Sequence, residues 1–523
     1  MSMWAGWMAA AGMTLAGAAW GTEAPQVRLD TGLAAGVSAG DIDIYRGLPY
    51  AAPPVGDLRW RAPQRPAPWQ GLRDASAFGP ACPQRGPQGV ADIVAYGAAP
   101  EPTSEDCLTL NVWAPARAAA SPAPVMVWLH GGSGRMGSGA LPYYDGSAFA
   151  RDGVVLVTVN YRLGHLGAFA HPAITRENGP KGAYGLMDQV AALQWVQRNI
   201  AAFGGDPRNV TIFGESSGGI SVLTLTVMPS AKGLFHKAIV QSGGGWYPPF
   251  GKADQIEAAG EAVARAAGAP ANASAQQLRA LDARAVAAAT GDAQTYPDKT
   301  LLPEPQTIAV DAGRHAAVPL MIGSNSGEDS LLDYGGGMAR AKAATKAKDL
   351  AKLRKVYKLD PSQDEMAIRY SLSDGLLAAP ARWVGKRWSK HAPAYVYYFD
   401  HVDTADRARR ERAAHGAEIY YVFQTLGLQP LDPPAPSEAD RRLAAEMHAR
   451  WVAFARTGSP NMAGAAPWPA YEPRKDEVMV FGPETSASRH AFRKPVLDWH
   501  ERRMAPLIFL LRIKTEIERL FRF

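Results

Sequence analysis

The segment from Gly214 to Gly218 carries a Gly-x-Ser-x-Gly pattern whose central residue, Ser216, could act as a nucleophile. An apolar run at 210–213 predicts a buried strand before the pattern, and another at 220–227 predicts a helix after it. Glycine on either side of the serine lets the chain turn sharply from strand to helix, which leaves the hydroxyl exposed. We predict a nucleophilic Ser216; an ordinary glycine-rich turn is the alternative.

A serine nucleophile needs a general base and hydrogen-bond donors for the oxyanion that forms during acyl transfer. A second glycine-rich turn, at 130–134, reads His-Gly-Gly-Ser-Gly and directly follows an apolar, strand-like run. We predict that the backbone amides of Gly132, Ser133 and Ser217 form the oxyanion hole. His130 is expected to support this turn; the alternative is that His130 is itself catalytic.

Short β-rich runs alternate with helical ones in the body of the chain. Between the strand-like runs at 154–159 and 210–213, residues 187–203 place apolar side chains at helical spacing. Such alternation predicts helices that cover a largely parallel sheet, the α/β arrangement. The strand-like runs are 125–129, 154–159, 210–213, 238–241, 320–323 and 395–399.

Composition excludes several classes of protein. With 47% hydrophobic and 20% charged residues, the 523-residue chain can bury a large core, which excludes intrinsic disorder. The net charge of +6 is small for this length and forms no basic stripe, so we expect no nucleic-acid partner. Two cysteines are too few for a cysteine-rich metal site, and we expect no metal or organic cofactor.

The N-terminal residues predict a targeting segment. Residues 3–20 are apolar or small and lead into Ala16-Gly17-Ala18, which is similar to a signal-peptidase site. We therefore predict a signal peptide over 1–22 and a secreted or periplasmic protein. No Lys or Arg precedes Arg28, so a buried or frayed N-terminal helix is the alternative.

The C-terminal segment 506–523 combines apolar and basic residues in a pattern that predicts an amphipathic helix. We favour a helix that packs on the body of the protein or against a second copy, so that the protein is a monomer or a homodimer. Association with a membrane surface is the alternative. The residues from 23 to 505 are expected to form a single domain.

Seven segments, in order along the chain, resemble the type-B carboxylesterase family, which includes the cholinesterases and p-nitrobenzyl esterases. The resemblance covers nearly everything from about residue 26 to 500. It implies an α/β-hydrolase fold, with a large, mostly parallel sheet, flanking helices and insertions that form an active-site gorge. The segments are 45–54, 104–111, the turn at 130–134, 160–164, 203–207, the Ser216 pattern and 241–243.

The resemblance also implies a catalytic triad of Ser216 as nucleophile, Glu328 as acid and His415 as base. The order serine, acid, histidine along the chain is the order found in α/β-hydrolases. The commoner family pattern has Asp before the acid and Gly after it, whereas this chain reads Gly-Glu-Asp at 327–329. Asp329 therefore remains the alternative acid.

Further roles follow from the same resemblance. Ser242 is expected to hydrogen-bond near the acid, and Glu215 is expected to polarise the site beside the nucleophile. Trp246 and Tyr247 could line an acyl pocket or could equally be packing residues. The implied structural pairs are a disulfide between Cys82 and Cys107 and ion pairs of Arg46 with Glu105 and of Arg162 with Asp188.

The resulting prediction is a serine carboxylesterase that cleaves a small-molecule ester into an acid and an alcohol through an acyl-enzyme. An amidase or a thioesterase with the same triad is the nearer alternative. A non-catalytic binding domain similar to the cholinesterases is the more distant one.

Overall fold

A computed structural model describes residues 24–85, 102–116, 121–246, 251–291, 295, 298–333, 336–404, 406–428 and 435–520. The predicted signal peptide and Tyr247 lie outside these residues. The predicted tail is described as far as residue 520.

The described chain is organised around its β-strands, which form two sheets. The strands are β1 (Gln26–Leu29), β2 (Gly32–Ala35), β3 (Val37–Ala39), β4 (Ile42–Pro49), β5 (Leu72–Asp74), β6 (Thr109–Pro115), β7 (Ala123–Leu129), β8 (Val155–Val159), β9 (Gly205–Glu215), β10 (Lys237–Gln241), β11 (Leu320–Asn325), β12 (Ala394–Phe399), β13 (Glu477–Phe481) and β14 (Ser486–His490). β1, β2 and β5 form a small three-stranded sheet. The other strands form one eleven-stranded sheet in the order β14-β13-β12-β11-β10-β9-β7-β8-β6-β4-β3.

The middle of the large sheet is parallel, from β8 through β7 and β9 to β13. β7 and β8 consist almost entirely of apolar residues and are buried at every position, as expected for strands covered on both faces. Along β7, Val125 and Val127 pack into one hydrophobic cluster while Met126 and Trp128 pack into another. The six strand-like runs predicted from the sequence are confirmed as parts of β7 to β12, and only Val154 falls outside them, one residue before β8.

Helices cover both faces of the large sheet. They are α1 (Ser147–Arg151), α2 (Gly164–Gly167), α3 (Pro172–Thr175), α4 (Tyr184–Asn199), α5 (Ser217–Leu225), α6 (Ala253–Ala266), α7 (Ala275–Arg279), α8 (Ala283–Ala288), α9 (Gln306–Asp311), α10 (Gly337–Ala344), α11 (Ala347–Tyr357), α12 (Asp364–Ser373), α13 (Ala379–Trp388), α14 (Ile419–Val422), α15 (Glu438–Thr457) and α16 (Lys494–Leu520). α4 and the 3₁₀ turn that follows it, Ile200–Phe203, account for the helix predicted over 187–203. No helix among the residues described above is long and apolar enough to cross a bilayer.

One of the two expected ion pairs is wrong. Glu105 accepts a bidentate pair of hydrogen bonds from Arg59 rather than from Arg46. Arg46 extends from β4 onto the ring of Phe78, 4.9 Å from its centroid, and donates to the carbonyl oxygen of Ser76. This stacking directs the Arg46 guanidinium away from Glu105, which the sequence pattern does not reveal.

The other expected pairs are confirmed. Arg162 donates to both carboxylate oxygens of Asp188, at 2.8 and 2.7 Å, and both side chains are buried. Cys82 and Cys107 form a disulfide bond. The disulfide joins two points of the connection between β5 and β6, and the ion pair joins the segment after β8 to helix Tyr184–Asn199.

Candidate active site

The candidate catalytic residues come from segments that follow adjacent parallel strands. Ser216 directly follows β9, Glu328 lies three residues beyond β11, and His415 lies in the segment after β12. In the sheet these strands are neighbours in the order β9-β10-β11-β12. The carboxyl ends of parallel strands lie at the same edge of a sheet, which is where α/β proteins usually bind their ligands.

Ser216 occupies a sharp turn between β9 and α5. Its φ of 54° and ψ of −125° are uncommon for a residue with a side chain, and its amide donates to the carbonyl oxygen of Gln241 at 2.9 Å. A Cβ atom on Gly218 would lie 2.0 Å from the carbonyl oxygen of Leu129, and one on Gly214 would lie 2.6 Å from the same atom. Both glycines are therefore required for the turn to pack against β7.

The turn at 130–134 lies against the Ser216 turn. The amide of Gly134 donates to the Ser217 hydroxyl at 3.0 Å, and Gly132 and Ser133 both have positive φ, at 100° and 58°. Among the described residues, no hydrogen bond involves the amides of Gly132, Ser133 or Ser217. These amides are available to bind an anion.

His130 is part of the framework of this turn. Its ring is buried, stacks on Tyr161 at a centroid distance of 4.4 Å, and places Nδ1 2.8 Å from the carbonyl oxygen of Gly131. Burial lowers the pKa of His130 to about 4, so the ring is neutral near neutral pH. These contacts support the structural interpretation of His130.

Glu328 is the carboxylate that contacts His415. Its Oε2 lies 2.5 Å from His415 Nδ1, while its Oε1 accepts from the Ser242 hydroxyl at 2.6 Å and from the Asn325 amide at 2.7 Å. Glu328 is fully buried, so these contacts satisfy both oxygens away from water. They hold the carboxylate in one orientation toward the imidazole.

Asp329 has a different set of partners. Its carboxylate accepts from the Ser373 hydroxyl at 2.9 Å, from Arg412 at 2.5 Å and from Arg369 at 3.3 Å. None of these partners is His415. The geometry therefore favours Glu328 over Asp329 as the acid.

The other ring nitrogen of His415 faces Glu215. Nε2 lies 3.1 Å from Glu215 Oε1, and both side chains are buried. In the described chain no hydrogen bond joins Nε2 to the Ser216 hydroxyl, and in ligand-free enzymes such bonds often tighten only when substrate binds. Ser216 is adjacent to Glu215 in the chain and is half-buried.

The buried carboxylates determine the electrostatics of His415. Burial alone lowers the pKa of the imidazole, but the negative charges of Glu215 and then Glu328 outweigh it and raise that pKa above the usual 6.5. Burial raises the pKa of Glu215 to about 8, although positive charge on His415 opposes this shift. The site is therefore suited to stabilise a histidine that gains a proton.

Sequence reasoning missed Glu418, a third buried acid in addition to Glu215 and Glu328. It accepts from Gln241 Nε2 at 3.1 Å and from Asn325 Nδ2 at 2.5 Å, and burial together with Glu328 raises its pKa. The backbone amide of Asn325 also donates to Glu328, so Asn325 links Glu328 and Glu418. The available signal was the position of Glu418, three residues after His415.

Of the two candidate pocket residues, Trp246 is described. It is half-buried, and its ring packs edge-on against Trp383 at a centroid distance of 6.3 Å. This contact joins Trp246 to the hydrophobic core, and its role in a pocket stays a prediction.

Comparison with known proteins identifies the family. A model of the carboxylesterase family matches residues 23–499. The chain belongs to the carboxylesterase family. The fumonisin B1 esterase of Sphingopyxis macrogoltabida is 36% identical over 480 residues, which cover 86% of this chain and 85% of that protein. The para-nitrobenzyl esterase of Bacillus subtilis (strain 168) is 35% identical over 468 residues, which cover 86% of this chain and 93% of that protein.

Solved structures of the family share the architecture. A PNB esterase structure matches with a TM-score of 0.75 at 31% identity and covers 90% of this chain and 99% of that chain. The structure of a thermophylic PNB esterase gives a TM-score of 0.76 with the same identity and coverage. This carboxylesterase has the α/β-hydrolase fold predicted from its sequence, and it is a carboxylic ester hydrolase.

Proposed function

We propose that this carboxylesterase hydrolyses small-molecule esters with Ser216 as nucleophile, His415 as general base and Glu328 as the acid of the triad. The observation that carries the proposal is the 2.5 Å contact between Glu328 Oε2 and His415 Nδ1 at the sheet edge that bears Ser216. A carboxylate on Nδ1 fixes the tautomer that leaves Nε2 free to accept a proton. Ser242 and Asn325 support this geometry through Glu328.

The reaction proceeds in two steps. The Ser216 oxygen attacks the ester carbonyl as its proton moves to Nε2 of His415, and the amides of Gly132, Ser133 and Ser217 stabilise the oxyanion. The C–O bond to the alcohol breaks, and the proton on Nε2 moves to the departing alcohol. Water then loses a proton to Nε2 and attacks the acyl-enzyme, which releases the carboxylic acid and restores the Ser216 hydroxyl.

An esterase, a thioesterase and an amidase could all use the same triad, and they differ in the leaving group that they release. An oxygen ester, a thioester and an anilide with one common acyl group would be assayed with the wild type and with Ser216→Ala. We expect the oxygen ester to give the highest kcat/KM and all hydrolysis to depend on Ser216. A higher kcat/KM for the thioester or the anilide would contradict the ester preference.

Glu215 is proposed to stabilise the imidazolium that forms when His415 accepts the proton. Neutral His415 is the active base, so kcat/KM decreases as the pH falls through the pKa of this residue. The Glu215 carboxylate raises that pKa, and Glu215→Gln removes the charge while Glu328 and Glu418 remain. We therefore expect the acid limb of the pH profile to move to lower pH by about one unit. The plateau value of kcat should fall about tenfold.

Glu484→Gln is a matched control because this glutamate is exposed and is not among the main charges that shift the pKa of His415. Its pH profile should overlay that of the wild type. An unchanged or upward-shifted acid limb in Glu215→Gln would contradict the role of Glu215.

We also propose that the mature protein is exported after removal of residues 1–22. The disulfide between Cys82 and Cys107 supports this proposal, because such bonds persist mainly in oxidising compartments. Protein purified without reductant is expected to contain no free thiol and to have the mass of the cleaved chain. The finding of two free thiols and a full-length mass would contradict export.

The disulfide should also contribute to stability. It closes a loop with a sequence separation of 25 residues, so the double variant Cys82→Ser, Cys107→Ser should lose about 3 kcal/mol of unfolding free energy. Urea denaturation under non-reducing conditions measures this loss. Reduced wild type should match the variant, and equal stability of oxidised wild type and variant would contradict the expectation.

A further inference from the structure

The C-terminal helix α16 attaches to the body of the protein along one face. Leu497 and Ile508 are buried on this face, and Met504 and Leu511 pack against the core. The acidic residues in this part of the helix pair with basic residues of the body. These ion pairs are Glu501 with Arg382 at 3.1 Å, Glu516 with Arg314 at 2.7 Å and Glu518 with Lys299 at 3.8 Å.

The outward part of α16 is strongly apolar. Of the eleven large hydrophobic side chains that are exposed in the described residues, five fall within residues 507–517, so they form a patch rather than a scatter. Phe509 and Leu510 are 61% and 63% exposed, and Leu510, Ile513 and Ile517 share one face at helical spacing. We call this set, with Leu507, the apolar patch.

Basic side chains accompany the apolar patch. Arg502 lies seven residues before Phe509, and Arg503 lies seven residues before Leu510, so each arginine shares a side of the helix with that apolar residue. Lys514 follows Leu510 by four residues and lies on the same side as Leu510. All three are exposed and form no ion pair with any described residue, although Arg503 lies over the ring of Trp499. The acids of the helix are engaged with the body, so the outward surface combines apolar groups with unpaired positive charge.

We propose that this surface binds the face of a bilayer that contains anionic phospholipids, with α16 parallel to the membrane plane. The apolar patch would enter the boundary between headgroups and acyl chains, and the three cations would contact lipid phosphates. A second copy fits the surface less well. It would bring the unpaired cations of both copies together around the same patch, and their mutual repulsion would oppose association.

Vesicle flotation of the full-length mature protein tests this proposal. The protein is expected to bind phosphatidylcholine vesicles that contain phosphatidylglycerol at least about tenfold more tightly than vesicles of phosphatidylcholine alone, and added salt should weaken that binding. Leu510→Glu with Ile513→Glu should lose binding by about tenfold or more, and Arg502→Glu with Arg503→Glu should lose the preference for anionic lipid. Both variants should retain wild-type hydrolysis of a water-soluble ester, which shows that they fold.

Two controls separate this surface from other causes of binding. Val55→Glu with Leu72→Glu changes exposed apolar residues elsewhere and should leave binding unchanged. Ser216→Ala should bind as the wild type does, because the attachment does not use the catalytic serine. Absence of vesicle binding, or equal binding by Leu510→Glu with Ile513→Glu, would overturn the proposal. A lipid-free dimer that this variant dissociates would instead assign the surface to a second copy.

Discussion

Ser216→Ala is expected to lower kcat for p-nitrophenyl ester hydrolysis by about 10⁵-fold or more, with little change in the thermal midpoint. The substitution removes the proposed nucleophilic oxygen but should leave the turn between β9 and α5 and the amide contact with Gln241 intact. The residual rate should reflect binding and the oxyanion amides alone. Steady-state kinetics and thermal unfolding of both proteins measure these effects.

Ser217→Ala provides a matched control at the next position. It retains the backbone amide that we propose binds the oxyanion and removes only the hydroxyl that accepts from Gly134. We expect a reduction in kcat of about tenfold, since the neighbouring turn loses one support. Equal losses in the two variants would mean that the nucleophile has been misassigned.

Glu328→Gln is expected to lower kcat by about 10⁴-fold. The carboxylate accepts the Nδ1 proton of His415 at 2.5 Å, whereas an amide nitrogen there would donate and favour the wrong tautomer. The carboxamide of glutamine is nearly the same size as the carboxylate of glutamate, so the fold should be retained. Measurement of kcat over a range of pH would separate this loss from the effect of a shifted His415 pKa.

Asp329→Asn tests the alternative acid at the adjacent position. Asp329 pairs with Arg412 and Arg369 rather than with His415, so we expect kcat to stay within about tenfold of wild type. The free energy of unfolding should decrease, because those two cations lose a buried partner. A large loss of kcat in Asp329→Asn with a small one in Glu328→Gln would reverse the assignment of the acid.

The sequence predicted the central sheet well because its middle strands are parallel and buried on both faces. Such strands are nearly continuous apolar runs, and β7 and β8 show this at every position. The edge strand β14 has no such signal, since its residues are partly or fully exposed. The pairing of Glu105 was also missed, because Arg46 and Arg59 both lie in the same N-terminal region and only packing decides between them.

The candidate site was predictable where local sequence determines local geometry. The glycines around Ser216 are such a case, because contacts with Leu129 exclude any larger side chain at Gly214 and Gly218. The choice between Glu328 and Asp329 was not predictable from the sequence, since the two adjacent side chains point in different directions. The partner of the acid, His415, also lies far along the chain. The contact of Glu215 with Nε2 likewise depends on the convergence of distant segments.

Covalent labelling with a p-nitrophenyl phosphonate tests the central claim most directly. The reagent should inactivate the enzyme with one adduct per chain, and peptide mass spectrometry should place that adduct on Ser216. Ser216→Ala should not be labelled, and Glu328→Gln should be labelled much more slowly than wild type. An adduct on another residue, or full hydrolytic activity in protein that resists the reagent, would contradict an acyl-enzyme on Ser216.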